Sequence, residues 1–119
     1  MNKYKQEFGS KGEDIAADFL AGCGYKIIER NYRFGHGEID IIARDGDTLV
    51  FVEVKTRKDL EFGYPELNVT KGKQKQIRKI AEAYLYDKKI SETDCRIDVI
   101  AILNPSNDKP QIEHIINAF

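Results

Sequence analysis

The chain predicts an α/β domain, a mixed sheet of about five strands flanked by helices, in the order α-β-β-β-α-β-β. Three observations carry this. Apolar residues recur at helical spacing near the N-terminus and again over residues 71–88. Two strand-like runs, EIDIIAR at 38–44 and TLVFVEVK at 48–55, flank Asp45-Gly46-Asp47, a hairpin signal. The run RIDVIAIL at 96–103 follows the second helix, and a strand-helix-strand sequence favours a right-handed crossover, so 48–55 and 96–103 should be parallel neighbours.

Taken in order, Ser10 and Glu13 fit a capping box. Ile15, Ala16, Phe19, Leu20 and Cys23 then keep helical spacing until Gly22 and Gly24, giving a first helix over 10–23. YKIIERNYRF at 25–34 reads as a strand ended by Gly35-His36-Gly37. Residues 58–70, with Gly63 and Pro65, read as a loop. Ile77, Ile80, Ala81, Tyr84 and Leu85 form the apolar stripe of the second helix, and Lys75, Arg78, Lys79 and Glu82 occupy its other faces. NPSNDKP at 104–110 is a turn before a last strand, QIEHII.

The 119 residues make one domain, 1–119. No apolar run approaches the roughly 18 residues that span a bilayer, so no membrane partner is expected. No secretory apolar segment opens the chain, so the cytoplasm is expected. Cys23 and Cys95 form no CxxC pair and are expected as free thiols in ordinary packing. A net charge of −1 argues against a protein that coats nucleic acid by bulk charge. The charge is nevertheless clustered: KGKQKQIRK at 71–79 holds five cations and no anion, and KTRK at 55–58 adds to it. Such runs are usually a solvated face, but they also suit phosphate contacts.

Within strand 48–55, side chains alternate, so Leu49, Phe51, Glu53 and Lys55 share one face and Val50, Val52 and Val54 the other. An even hairpin loop pairs positions whose numbers sum to 93 and sets Asp40 opposite Glu53; an odd loop sets Asp40 opposite Val52 instead. The simplest account of Glu53 and Lys55 is a weak solvent-side ion pair, worth less than about 1 kcal/mol. Two features count against it. Asp40 sits among Ile39, Ile41 and Ile42, where an unpaired carboxylate costs several kcal/mol, and a second carboxylate opposite it adds repulsion. A divalent cation relieves both, and oxygen ligands suit magnesium or manganese.

Gly37-Glu38-Ile39-Asp40, followed by Phe51-Val52-Glu53-Val54-Lys55 and Thr56-Arg57, resembles the core motif of the PD-(D/E)XK nuclease superfamily. The match is nearest to its small YraN-like bacterial family, related to archaeal Holliday junction resolvases. Gly12-Glu13, Arg30-Asn31, Phe62-Gly63, Arg96-Ile97-Asp98-Val99 and the ending His114-Ile115-Ile116-Asn117-Ala118-Phe119 extend the resemblance over nearly the whole chain. Ile39 stands where the superfamily's eponymous proline would be.

The resemblance implies a restriction-endonuclease-like core and a metal-dependent endonuclease that hydrolyses phosphodiester bonds in branched or structured DNA. It implies catalytic roles for Asp40, Glu53, Lys55 and Glu13: Asp40, Glu53 and Glu13 as ligands of magnesium or manganese, and Lys55 at the attacking water. The capping box is a competing account of Glu13. Lys55, Arg57, Lys58, Lys71, Lys73, Gln74, Lys75 and Arg78 are the expected nucleic-acid contacts. Lys73 and Gln74 extend the apolar stripe of the second helix and should point toward the sheet. Resolvases of this fold act as homodimers, so a homodimer is compatible with the resemblance, though no interface is identifiable in the sequence. His36 reads as an exposed turn residue, His114 as structural, and Asp98 as the partner of a cation such as Arg96. Two other readings remain: a non-catalytic nucleic-acid-binding module with a nuclease fold, and a purely structural polar cluster.

Overall fold

The computed structural model describes residues 3–57, 69–103, 105 and 109–119, with side chains from Ser10 onward. The elements are α1 (Lys3–Gly22), β1 (Lys26–Phe34), β2 (Gly37–Asp45), β3 (Thr48–Arg57), α2 (Lys71–Asp87), β4 (Cys95–Leu103) and β5 (Gln111–Ile115). They build a five-stranded sheet in the order β1-β2-β3-β4-β5. β3 and β4 are parallel, as the crossover argument requires, and every other neighbouring pair is antiparallel. The expected mixed sheet and element order are both present.

One helix covers each face of the sheet. Ala16 and Leu20 of α1 pack with Ile41, Ala43, Val50, Val52, Ile100 and Ile102. Ile77, Ile80, Ala81 and Tyr84 of α2 pack with Ile39, Ile42, Leu49, Phe51 and Ile97 on the other side. β3 therefore alternates as its sequence demands, Val50 and Val52 toward α1, Leu49 and Phe51 toward α2. Each fully buried Ile, Leu or Phe side chain contributes about 1.5–3 kcal/mol, so these two clusters hold both helices in place.

α1 corrects the sequence reading at its start. It begins at Lys3, not Ser10, which lies inside the helix and so does not form the expected capping box with Glu13. The reason is local: Lys3 to Phe8 are all helix-compatible and contain no proline. Gly12 lies within the helix, and a side chain there would collide with that of Thr56, so its absence lets α1 lie close against β3. The helix ends as expected. Gly24 takes a left-handed φ of 93°, the Tyr25 N–H donates to Leu20 O, and that of Gly24 donates to Ala21 O, a Schellman closure. At the start of α2, Thr70 Oγ1 accepts from the Lys73 N–H at 3.1 Å.

Most of the loop 58–70, including Lys58, Phe62, Gly63 and Pro65, lies outside the described residues, as does most of the turn 104–110. Cys23 and Cys95 are free thiols but exposed rather than packed in the core. Cys23 falls in the closing turn of α1, and Cys95 is the first residue of β4. Among the described residues no helix is long and apolar enough to cross a membrane.

The end of the sheet that carries the β2–β3 hairpin is pinned by a buried polar network. Asp98, with no exposed surface, accepts from Arg96 Nε at 3.0 Å and from the Asn117 N–H at 3.0 Å, and its Oδ2 lies 2.7 Å from His114 Nε2. Arg96 Nη2 also reaches the Tyr25 hydroxyl at 2.6 Å and Asp45 at 3.1 Å. Asp98 pairs with Arg96 as its sequence pattern implies, and His114 supports the same carboxylate.

Candidate metal centre

β2 and β3 zip together from the hairpin in the register that sums to 93: Asp45 with Thr48, Arg44 with Leu49, and so on to Ile41 with Val52. The ladder stops there. Asp40, next in register with Glu53, turns its carboxylate to the partner backbone, and Oδ2 accepts the Val54 N–H at 2.7 Å. A side chain thus replaces the ladder bond at the point where the strands part. Strand alternation also slips here, since Ile39 and Ile42 share the α2 cluster although three residues apart. In the β1–β2 ladder, Asn31 falls between Arg30, paired with Ile41, and Tyr32, paired with Ile39. It has a left-handed φ of 55°, which asparagine tolerates better than most residues.

Three carboxylates converge in this opening. Glu13 from α1 and Glu38 and Asp40 from β2 each offer an oxygen, all within 4.8 Å of one another. An octahedral magnesium at about 2.1 Å from each ligand holds adjacent oxygens about 3.0 Å apart and opposite ones about 4.2 Å apart, so the triplet would have to contract to enclose an ion. Asn31 Nδ2 donates to Glu13 Oε1 at 2.9 Å, and Arg30 lies 3.7 Å from the same oxygen. With the capping box gone, these contacts and the triplet account for the position of Glu13. Glu38 Oε2 is buried and has no hydrogen-bond partner among the described residues, where Arg33 Nε, 3.5 Å away, is its ion-pair contact. A buried carboxylate oxygen left without a donor is costly, and a cation is the ligand that this donor set fits.

The electrostatics agree. Burial, then the neighbouring Glu53, pushes the Asp40 carboxyl up to about 8, against the Val54 hydrogen bond, which favours the ionised form. Burial also raises Glu53, and Lys73 and Lys55 only partly oppose it. Burial lowers Lys55, with Glu53 pulling the other way. Burial and the neighbouring carboxylates thus favour the protonated form of Asp40, 8% exposed, in the metal-free protein, and a cation bound among them would favour the ionised form.

Of the residues singled out in the sequence, Asp40 and Glu13 meet directly. Glu53 stands beside them but outside the triplet, and Lys73 Nζ lies 3.9 Å from its Oε1. Lys73 therefore does turn toward the sheet. Gln74 does not: its Nε2 donates to Val69 O at 3.0 Å at the start of α2. Lys71, Gln74, Lys75 and Arg78 instead line an open groove of about 770 Å³ along α2, together with Lys79 and Glu82. Arg57 is exposed at the end of β3, and Lys58 lies outside the described residues. Sequence reasoning missed Glu38, Asn31 and Arg30 as site residues. For Glu38 a signal existed, because residues two apart on a strand share a face and Glu38 precedes Asp40 by two.

Comparison with known proteins places these residues in one family. The model described as "Uncharacterised protein family UPF0102" matches residues 12–102, from the close approach of α1 to near the end of β4. A UPF0102 protein of Geotalea daltonii is 58% identical over 111 residues, covering 93% of this chain and 87% of its own. One from Chlorobium limicola is 52% identical over 124 residues, covering 100% and 96%. A third, from Dictyoglomus turgidum, is 46% identical over 115 residues, covering 96% and 98%. At these identities, over nearly the full length of each partner, the chain belongs to the UPF0102 family, the YraN-like family that its motifs resemble.

Proposed function

We propose that this protein is a magnesium- or manganese-dependent endonuclease that hydrolyses phosphodiester bonds in branched or structured DNA. The observation that carries the reading is the triplet Glu13, Glu38 and Asp40, in which Glu38 also has a buried oxygen with no hydrogen-bond partner among the described residues. A divalent cation bound there would lower the pKa of water and neutralise phosphate charge. Asp40 is held in place for this by the Val54 N–H, and Glu13 by Asn31. Glu53 supplies a further carboxylate beside Asp40, and Lys73 restrains it. Lys55 shares the strand face of Glu53, where its amine can donate to the attacking water or to a phosphate oxygen. Lys71, Lys75 and Arg78 offer the strand's phosphates a cationic track along α2. The cytoplasm, where such DNA resides, remains the expected compartment.

The test is cleavage of a four-way junction and a flap by the wild type with magnesium or manganese, beside Asp40→Asn, Glu53→Gln and Lys55→Ala. Cleavage by wild type alone supports the reading; no cleavage of any structured substrate with either metal ends the enzyme claim. One observation favours a second reading. Glu53 is engaged with Lys73 and stands apart from the triplet, as in a DNA-binding module of the same fold that leaves cutting to a partner. Salt-sensitive binding without turnover is the outcome that reading requires.

A further inference from the structure

The cationic groove along α2 adjoins a second cavity. Arg78 and Glu82 line both, and the second, of about 270 Å³, lies between α2 and the sheet. Buried Phe51, Ala81 and Ile97 lie at the bottom of this cavity, and the half-buried Phe119 ring forms a wall. The Arg78 guanidinium sits over that ring, 5.7 Å from its centre. Phe119 is placed by the backbone just before it: the Asn117 N–H donates to Asp98, and that of Ala118 donates to Ile97 O at 2.7 Å.

We infer that this cavity is a subsite for one unpaired nucleobase of a strand whose phosphates follow the α2 groove. The inference rests on the nucleic-acid reading above and adds the kind of strand bound. Its volume falls just below the ~300–1,000 Å³ of pockets that enclose drug-sized ligands, which suits a single planar ring system. An aromatic wall capped by a guanidinium is the usual stacking environment for a base. Charge complementarity chooses the occupant, since the adjoining groove is lined by Lys71, Lys75, Arg78 and Lys79, which suit a polyanion rather than a neutral ligand. Glu82 on the shared rim is unfavourable to phosphate, but it can accept from the exocyclic amine of cytosine.

The spacing also fits. α2 rises about 1.5 Å per residue, so the nine positions from Lys73, beside Glu53, to Glu82 cover about 13–14 Å. That is about four nucleotides at duplex spacing, and fewer in a stretched strand. A base lodged here must be unpaired, so the strand beside the metal centre is single-stranded a few nucleotides from the carboxylates.

The experiment measures binding of a short labelled oligodeoxycytidylate and of an all-abasic oligomer of equal length, in EDTA, by wild type and Phe119→Leu. The leucine keeps the apolar contact and the fold but removes the stacking ring. Wild type should prefer the base-bearing oligomer by about tenfold, and Phe119→Leu should lose most of that preference while binding the abasic oligomer as before. Equal wild-type affinity for both oligomers, or an unchanged preference in Phe119→Leu, overturns the subsite. No metal is present and no bond is cut, so this outcome is independent of the cleavage test. Base-dependent binding by a protein that never cleaves would keep the subsite and discard the nuclease.

Discussion

The carboxylate of Asp40 accepts the backbone N–H of Val54 at 2.7 Å, standing in for the ladder bond that β2 and β3 no longer make. This contact holds a costly buried carboxylate at the point where the strands diverge. It also sets the behaviour of the metal-free protein.

The folded Asp40 carboxyl has its pKa raised to about 8, whereas an unfolded aspartate titrates near 3.9. Between these values the folded state holds the extra proton, so stability falls as pH rises, by at most about 1.4 kcal/mol per pH unit. Denaturant midpoints of the metal-free protein should therefore drop from pH 5 to pH 8. Asp40→Asn should flatten that slope and be the more stable protein at pH 8. A wild-type midpoint that rises over the same range would contradict the assignment.

Magnesium selects the ionised form and so should raise the melting temperature, more at pH 8 than at pH 6. At a hundredfold excess over Kd the gain is about 2.7 kcal/mol. Glu38→Gln should fold normally and lose most of this gain, because it removes one of the three converging ligands. An equal magnesium shift in Glu38→Gln would remove Glu38 from the site.

Lys55→Ala should bind manganese as wild type does but cleave a junction about 10²–10³-fold more slowly, since only a charge-stabilising donor is lost. Lys73→Ala is expected to be milder, because Lys73 acts through Glu53. Manganese affinity by calorimetry and single-turnover cleavage separate the two effects.

Asp98→Ala leaves Arg96 and His114 without the carboxylate they share and should cost about 3–5 kcal/mol, read by urea unfolding. If the variant remains folded, its magnesium-induced shift should be unchanged, because Asp98 lies on β4, across β3 from the carboxylates of α1 and β2.

Removing Lys71 and Lys75 together should lower the slope of log affinity against log salt for duplex DNA by about 2, near 0.9 per phosphate contact. A lowered affinity with an unchanged slope would mean that these lysines are not phosphate ligands.

Much of this architecture was legible in the chain. Period-2 and period-3.6 patterns placed the five strands and α2 to within about two residues; the Asp45-Gly46-Asp47 turn allowed two β2–β3 registers, and the ladder follows the one that sums to 93. The face division of β3 followed from alternation alone. The start of α1 was not legible, because Ser10 and Glu13 form a good local cap signal that an earlier helical stretch overrides. Nor was the role of Gly12 legible, because it is a close crossing with Thr56 from a strand far along the chain.

Composition, periodicity and turn chemistry determined the fold class, the parallel β3–β4 pair and the presence of charges where a core strand should be apolar. Those are local or register properties, fixed by side-chain spacing along one or two strands. Which carboxylates meet was decided only in three dimensions. Glu13 reaches Asp40 because α1 crosses close over β3. Glu38 stands with them as its two-residue spacing from Asp40 allows, while Glu53 is drawn toward Lys73 on α2, beyond the point where the β2–β3 ladder ends at Ile41. Such convergence depends on helix approach and on where a ladder breaks, and neither is encoded in the spacing of any single segment.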